Sequence, residues 1–289
     1  MTIYILSNFL VSVHAGRRFG HGHALFDARE CGQTTNEVAF PVGKVVTGFG
    51  GVAEYSMLPI SGITPARPDV PVEQNLGPFS LIQGHTAWVG TKICGVQRGL
   101  TMVVSGAAGA VGSFAGQLGK KEGSRVVGIA GGPEKCKYVV SELGFDACID
   151  YKNGNLDEEL ARLCPKGIDS YFDNVGGPTL DAVVAKMNCF GKIAVCGVIS
   201  QYKGKMGENA PGFKNLEMLL MRRLTMQGFI TMDHMACNEQ AMTEIGAALE
   251  AGTLKWKGDV REGKVDDYVK TINLLLEGDN LGKHILKTG

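Results

Sequence analysis

Excess charge of either sign is missing from this chain: 29 lysines and arginines are matched by 29 aspartates and glutamates, leaving a formal net charge of zero. No basic stripe suited to nucleic acid or an anionic membrane surface runs along it. Closely spaced cysteines are missing too. The eight, Cys31, Cys94, Cys136, Cys148, Cys164, Cys189, Cys196 and Cys237, contain no CxxC pair, whereas zinc sites gather their ligands at short spacings. His21 and His23 form the one close pair of candidate ligands, in a Gly/His-rich stretch without a third partner, so no metal is expected. Scattered thiols point to a reducing compartment, and the cytoplasm is the expected location. No apolar run is long enough to cross a membrane. The run Ile3 to Val13 has the length of a signal-peptide core, but only Met1 and Thr2 precede it. Without a cationic n-region it is expected to be a leftover or misassigned N-terminal segment rather than a leader. Internal repeats and low-complexity tracts are also lacking.

What the chain does have is Ser105-Gly-Ala-Ala-Gly-Ala-Val-Gly112, set between a β-type run, Thr101 to Ser105, and a helix-type run ending at Lys121. Gly106, Gly109 and Gly112 stand where a strand turns tightly into a helix. Lacking a Cβ, glycine lets a pyrophosphate approach the N–H groups at the positive end of that helix. The pattern alone serves ordinary turns equally well, and context decides. Over the next hundred residues, strand-like runs (125–130, 147–149, 168–172 and 192–196) alternate with amphipathic stretches near 133–142, 156–163 and 178–187. Near-continuous apolar strands separated by helices imply a parallel sheet covered on both faces. The expected fold class is α/β, a Rossmann doubly wound parallel sheet.

Cofactor choice turns on the end of the second strand, where an acid about 20 residues beyond the glycines would bind the 2′-OH of NAD. Here the strand ends Ala130-Gly131-Gly132-Pro133, with Glu134-Lys135 on the helix that follows. No acid occupies the strand end, and Lys135 can reach a 2′-phosphate as a flexible point charge. That favours NADP. The plain alternative is that Lys135 is a solvated helix residue.

The segments VVSGAAGAVGS (103–113), RVVGIAGGPEKC (125–136), ELGFDACIDYK (142–152), GIDSYFDNVGG (167–177), CGVISQY (196–202) and GDNLGK (278–283) carry a family resemblance. The chain resembles the zinc-independent medium-chain reductases of the leukotriene B4 12-hydroxydehydrogenase and prostaglandin reductase group, the alkenal/one oxidoreductases. The likeness is almost unbroken from about residue 98 onward. Upstream it is confined to 40–48, Glu54-Tyr55 and 84–90, and residues 1–39 match nothing in the group. The resemblance implies a partial or atypical GroES-like β-barrel substrate domain over 1–81, a Rossmann NADP-binding domain over 82–235, and a return to the substrate domain over 236–289. It also implies a homodimer joined through the last Rossmann strand, which is expected within Arg223 to Thr231.

In doubly wound folds ligands lie beyond the carboxyl ends of the strands, so the loop Cys196-Gly-Val-Ile-Ser-Gln-Tyr202 should face the nicotinamide. The resemblance makes Tyr202 the catalytic residue, associated with the carbonyl oxygen of an α,β-unsaturated ketone or aldehyde. Its O–H suits a developing enolate; without the resemblance a loop tyrosine would be read as packing. The resemblance further assigns Gly106, Gly109, Ala110, Val111 and Gly112 to the pyrophosphate, and Lys135 and Tyr151 to the adenosine phosphate end. Asn174 falls to the nicotinamide ribose, Cys196, Gly197 and Ser200 to the loop over the ring, and Phe229, Ile230 and Thr231 to the nicotinamide, with Asn280 as a further contact. Tyr151 and Asn174 have structural alternatives, a strand cap and the turn Asp-Asn-Val-Gly-Gly.

The implied function is NADPH-dependent reduction of the carbon–carbon double bond of α,β-unsaturated ketones and aldehydes, in the manner of a 15-oxoprostaglandin or alkenal/one reductase. Two alternatives stay open: a quinone reductase on the same fold, and an NADPH-binding protein with little or no catalysis because its substrate domain is incomplete.

Overall fold

The computed structural model describes residues 3–6, 26–30, 40–53, 55–202 and 212–288. His21, His23, Cys31, Glu54 and most of the Ile3 to Val13 run lie outside the described residues. Strands β1 (Ile3–Leu6), β2 (Phe26–Glu30), β3 (Val45–Phe49) and β4 (Ile63–Pro65) come first, followed by helices α1 (Val72–Leu76) and α2 (Thr86–Cys94). Next run β5 (Thr101–Ser105), α3 (Ala110–Lys121), β6 (Arg125–Ala130), α4 (Pro133–Ser141), β7 (Ala147–Asp150), α5 (Leu156–Leu163), β8 (Ile168–Asp173), α6 (Gly177–Val184) and β9 (Met187–Val195). After α7 (Leu216–Met221), β10 (Thr225–Gly228) and α8 (Asn238–Glu250), the chain ends with β11 (Gly258–Gly263), α9 (Tyr268–Glu277) and β12 (Lys283–Thr288).

Two compact units result, one from residues 1–82 with 257–289 and the other from 83–256. The expected return at 236 therefore comes later, after α8. That helix buries Ala241, Ile245 and Ala248, and Gln117 of α3 bonds both backbone groups of Lys255 just beyond it.

The second unit holds one six-stranded sheet ordered β10-β9-β8-β5-β6-β7, with every neighbouring pair parallel. This is the doubly wound order, whose reversal of strand sequence falls between β5 and β8. The hydrophobic runs explain it. All of β5 is buried, as are five of the six residues of β6 and of β8, as strands covered on both faces must be. Val103, Val127, Ile129, Ile149, Tyr171 and Ile193 share one core cluster with Leu160 and Val183. Caps set the helix ends: the Asn155 side chain accepts from the N–H of Asp157 at 3.1 Å to open α5, and three acids follow in its first turn, where the helix dipole favours them.

The first unit carries a six-stranded sheet ordered β11-β12-β1-β2-β3-β4, antiparallel except for β11 with β12. Ile3 to Leu6, the start of the run weighed as a leader, pairs along β12 from Thr288 to Ile285. The strand β11, Gly258–Gly263, lies outside the strand-like runs of the sequence. Its sequence GDVREG reads locally as a charged loop, and only parallel pairing with β12 makes it a strand.

Candidate functional site

The glycine turn lies between β5 and α3, at the switch point of the sheet. Gly106 takes φ +61° and is the left-handed position of the turn; Gly109 sits at the helix N-cap with φ −83° and ψ 178°, a conformation open to any residue. Left-handed freedom is thus needed at 106 and not at 109. Gly112 is held by proximity: a Cβ there would fall 2.3 Å from the carbonyl oxygen of Gly106 and 3.1 Å from Cα of Ala107. No side chain caps α3, so its first N–H groups, at Ala110, Val111 and Gly112, open onto the end of the sheet as an anion-binding terminus.

Across the switch point, Asn174 ties the end of β8 to the turn. Its N–H donates to Ser105 Oγ at 2.9 Å and its amide Nδ2 to the Ser105 carbonyl at 2.7 Å. Beneath it, Asp173 Oδ1 accepts from Ser105 Oγ, Tyr171 Oη and the N–H groups of Val175 and Gly176, all within 3.0 Å. The carboxylate is fully buried. This Asp173 network was invisible in the sequence, where Asp-Asn-Val-Gly-Gly read as a turn.

At the end of β6, Tyr151 lies half exposed against Gly131, where a Cβ would come 2.9 Å from the tyrosine ring and 3.0 Å from Lys152 Cε. Lys135 occupies the first turn of α4 in the same corner. Asp150 fastens that corner: its Oδ1 accepts from the N–H of Gly132 at 2.7 Å and of Lys152 at 3.0 Å. Burial opposes its ionisation, yet these donors, with the Asn153 amide and the Lys152 charge, hold its carboxyl below the usual range. Asp150 and Lys152 flank Tyr151 but were not singled out, because the bond from Gly132 to Asp150 forms only where β7 lies beside β6.

The loop after β9 is lashed to the end of β8. The N–H groups of Cys196 and Gly197 donate to the Asp173 carbonyl at 2.8 and 3.1 Å, and Ser200 bonds the Val175 carbonyl through both its N–H and its hydroxyl. Tyr202 folds back over this loop and accepts the Val198 N–H at 3.4 Å through its phenolic oxygen. Burial, with the nearby Cys196 thiol, raises the Tyr202 pKa against the Val198 bond, so the hydroxyl keeps its proton at neutral pH. Burial also pushes up the Cys196 thiol, with Asp173 adding to the shift. Phe229 stacks edge-on against Phe172 with centroids 6.4 Å apart, Ile230 is exposed, and Thr231 is buried. Of the expected site residues, those from Gly106 to Thr231 cluster at the carboxyl ends of β5, β6, β8, β9 and β10. Asn280 belongs to the first unit, where its Nδ2 donates to the Gly282 carbonyl at 3.0 Å. Among the described residues no group of three His, Cys, Asp or Glu side chains is arranged to hold a metal.

A family profile described as zinc-binding dehydrogenase matches residues 110–247. The chain is 35% identical over 264 residues to an NADPH-dependent curcumin reductase of Escherichia coli, covering 88% of this chain and 74% of the relative. It is 39% identical over 256 residues to prostaglandin reductase 1 of Rattus norvegicus, covering 86% and 76%. The chain belongs to the zinc-independent medium-chain reductases of the enone reductase group. The crystal structure of CurA from Vibrio vulnificus in complex with NADPH superposes with a TM-score of 0.87 at 31% identity, covering 100% of this chain and 90% of that one. For a medium-chain reductase the glycine turn fits a dinucleotide: backbone fills the space a Cβ at 112 would need, and an uncapped helix start faces outward.

Proposed function

We propose that this medium-chain reductase reduces the carbon–carbon double bond of α,β-unsaturated ketones and aldehydes at the expense of NADPH. The observation that carries the reading is the union of an NADP-type corner, Lys135 with Tyr151 and no acid at the strand end, with a loop that holds Tyr202 at the sheet's carboxyl edge. Its relatives named for enone substrates support the substrate class.

The N–H groups of Ala110 to Gly112 would hold the pyrophosphate, and Lys135 and Tyr151 would take the 2′-phosphate. When bound, NADPH supplies a hydride to the substrate β-carbon. The chain's part is orientation and charge stabilisation. Because the phenolic oxygen of Tyr202 accepts from Val198, its own O–H is left to donate to the substrate carbonyl oxygen. There it stabilises the enolate as negative charge develops. Asn174, pinned by Ser105, orients the ribose side of the cleft, and the α-carbon takes its proton from solvent.

We further assign substrate recognition to the first unit and a homodimer to the second. Among the described residues the edge strand β10 pairs on one side only, and Leu216, Leu220 and Met221 of α7 are all more than 60% exposed, which supports a covered face there. Free thiols at seven described cysteines support a reducing compartment such as the cytoplasm.

Single-turnover oxidation of bound NADPH by a simple enone tests the catalytic assignment. Tyr202→Phe keeps the ring and should slow this step by about 10- to 1,000-fold, the range for a lost oxyanion donor with a ribose hydroxyl sharing its work. Equal rates for Tyr202→Phe and wild type would remove Tyr202 from the mechanism.

A further inference from the structure

The segment after β10 has an irregular backbone. It leaves the sheet at its edge strand and runs as a 3₁₀ stretch from Thr231 to Cys237, broken at His234, whose φ −114° and ψ 24° are not helical. Ile230, Met232 and Met235 are exposed along it. Yet this is the segment assigned to the nicotinamide, where small displacements of the ring matter most.

One buried side chain reaches both of its ends. His85, at the start of α2, is fully buried. Its Nδ1 lies 2.7 Å from Thr231 Oγ1 and its Nε2 lies 3.6 Å from Cys237 Sγ, within reach of a bond to sulfur. The two partners are the first and last residues of the 3₁₀ stretch, so both ring nitrogens are committed to the same segment from inside the core. Phe229 adds apolar support from the same side: a Cβ at Gly90 of α2 would overlap the rings of Phe172 and Phe229, at 2.4 and 2.8 Å.

We infer that His85 is a positioning residue for the cofactor, a two-point staple that fixes Thr231 and so the nicotinamide-binding segment. A histidine needed only to fill space there would be replaceable by an apolar residue of similar volume. The inference rests on the assignment of Phe229 to Thr231 to the nicotinamide. The staple acts through a neutral imidazole: burial, with the neighbouring His234 side chain adding to it and a bond to the His234 backbone opposing it, lowers the His85 pKa. In the neutral ring one nitrogen donates and the other accepts. The short contact between Nδ1 and Thr231 Oγ1 fixes where the Thr231 hydroxyl sits.

A double-mutant cycle on NADPH binding, followed by cofactor fluorescence on the intact protein, tests this. His85→Leu and Thr231→Val should each raise the NADPH dissociation constant about three- to tenfold, the worth of one hydrogen bond. The double variant should be no worse than the poorer single one, because the two residues act as a unit. His85→Asn, which keeps a polar group near the Nδ1 position, should recover part of the loss and guards against misfolding of the leucine variant. The primary isotope effect with 4-deuterated NADPH should change in His85→Leu, which a purely structural role would not produce. Additive losses in the cycle, or wild-type NADPH affinity in folded His85→Leu with weakened binding in Thr231→Val, would overturn the staple while leaving the cofactor assignment intact. Wild-type affinity in Thr231→Val would overturn both.

Discussion

Substituting the two glycines at the start of α3 separates fold from function in one experiment. In Gly112→Ala the new methyl would sit 2.3 Å from the Gly106 oxygen and 2.8 Å from its carbonyl carbon, where ordinary contact needs more than about 3.2 Å, as densely packed interiors require. Both clashing atoms are backbone, so the turn itself must retreat by about 1 Å, at a cost of about 2–4 kcal/mol typical of overpacking. In Gly109→Val the backbone, at φ −83°, suits a branched residue, and the Cβ meets only the Gly106 oxygen at 3.2 Å. Losing a glycine N-cap costs about 1 kcal/mol at most. The branched side chain nevertheless enters the space from which a pyrophosphate would approach the helix start. Denaturant unfolding and NADPH titration should therefore split the pair: Gly112→Ala loses stability and affinity together, while Gly109→Val stays near wild-type stability and loses affinity at least tenfold, about 1.4 kcal/mol. NADPH bound at wild-type strength by Gly109→Val would show that the phosphates do not lie on this turn. Wild-type stability in Gly112→Ala would refute the packing argument.

Two further outcomes follow from the same geometry. Lys135→Ala should erode a preference for NADPH over NADH by about 1.5–3 kcal/mol, the worth of a charge-assisted contact; titration of both cofactors against both proteins reads it, and equal wild-type affinities would sink the NADP assignment. In the first unit Lys283 is fully buried, its Nζ has no partner among the described residues, and burial pushes its pKa down to about 7. Against about 10.4 in the unfolded chain, the unfolded state binds the extra proton between those two values, so stability rises with pH across that window. Lys283→Met should stabilise the fold at pH 7 by up to about 4 kcal/mol, the gain vanishing near pH 10.5; denaturant curves at several pH values test it, and a pH-independent difference would exclude Lys283 as the cause.

The sequence by itself determined what is encoded over short distances. Strand–helix alternation from Thr101 to Val195, the three glycines of the first turn and the acid-free end of β6 are all read within windows of about 30 residues, because backbone turns and amphipathic periods are local properties. The tertiary structure alone decided what depends on distant pairing. The strand β11 exists because β12 lies beside it; its own residues do not demand extension. Position 106, and not 109, needs the left-handed backbone, a matter of how the turn closes on β5. Asn174 reaches the glycine turn across 69 residues, and His85 reaches Thr231 across 146. Nothing in the local pattern around a lone histidine marks such a partner, since a hydrogen bond between side chains far apart in the chain is fixed only when the sheet and its helices have brought them together.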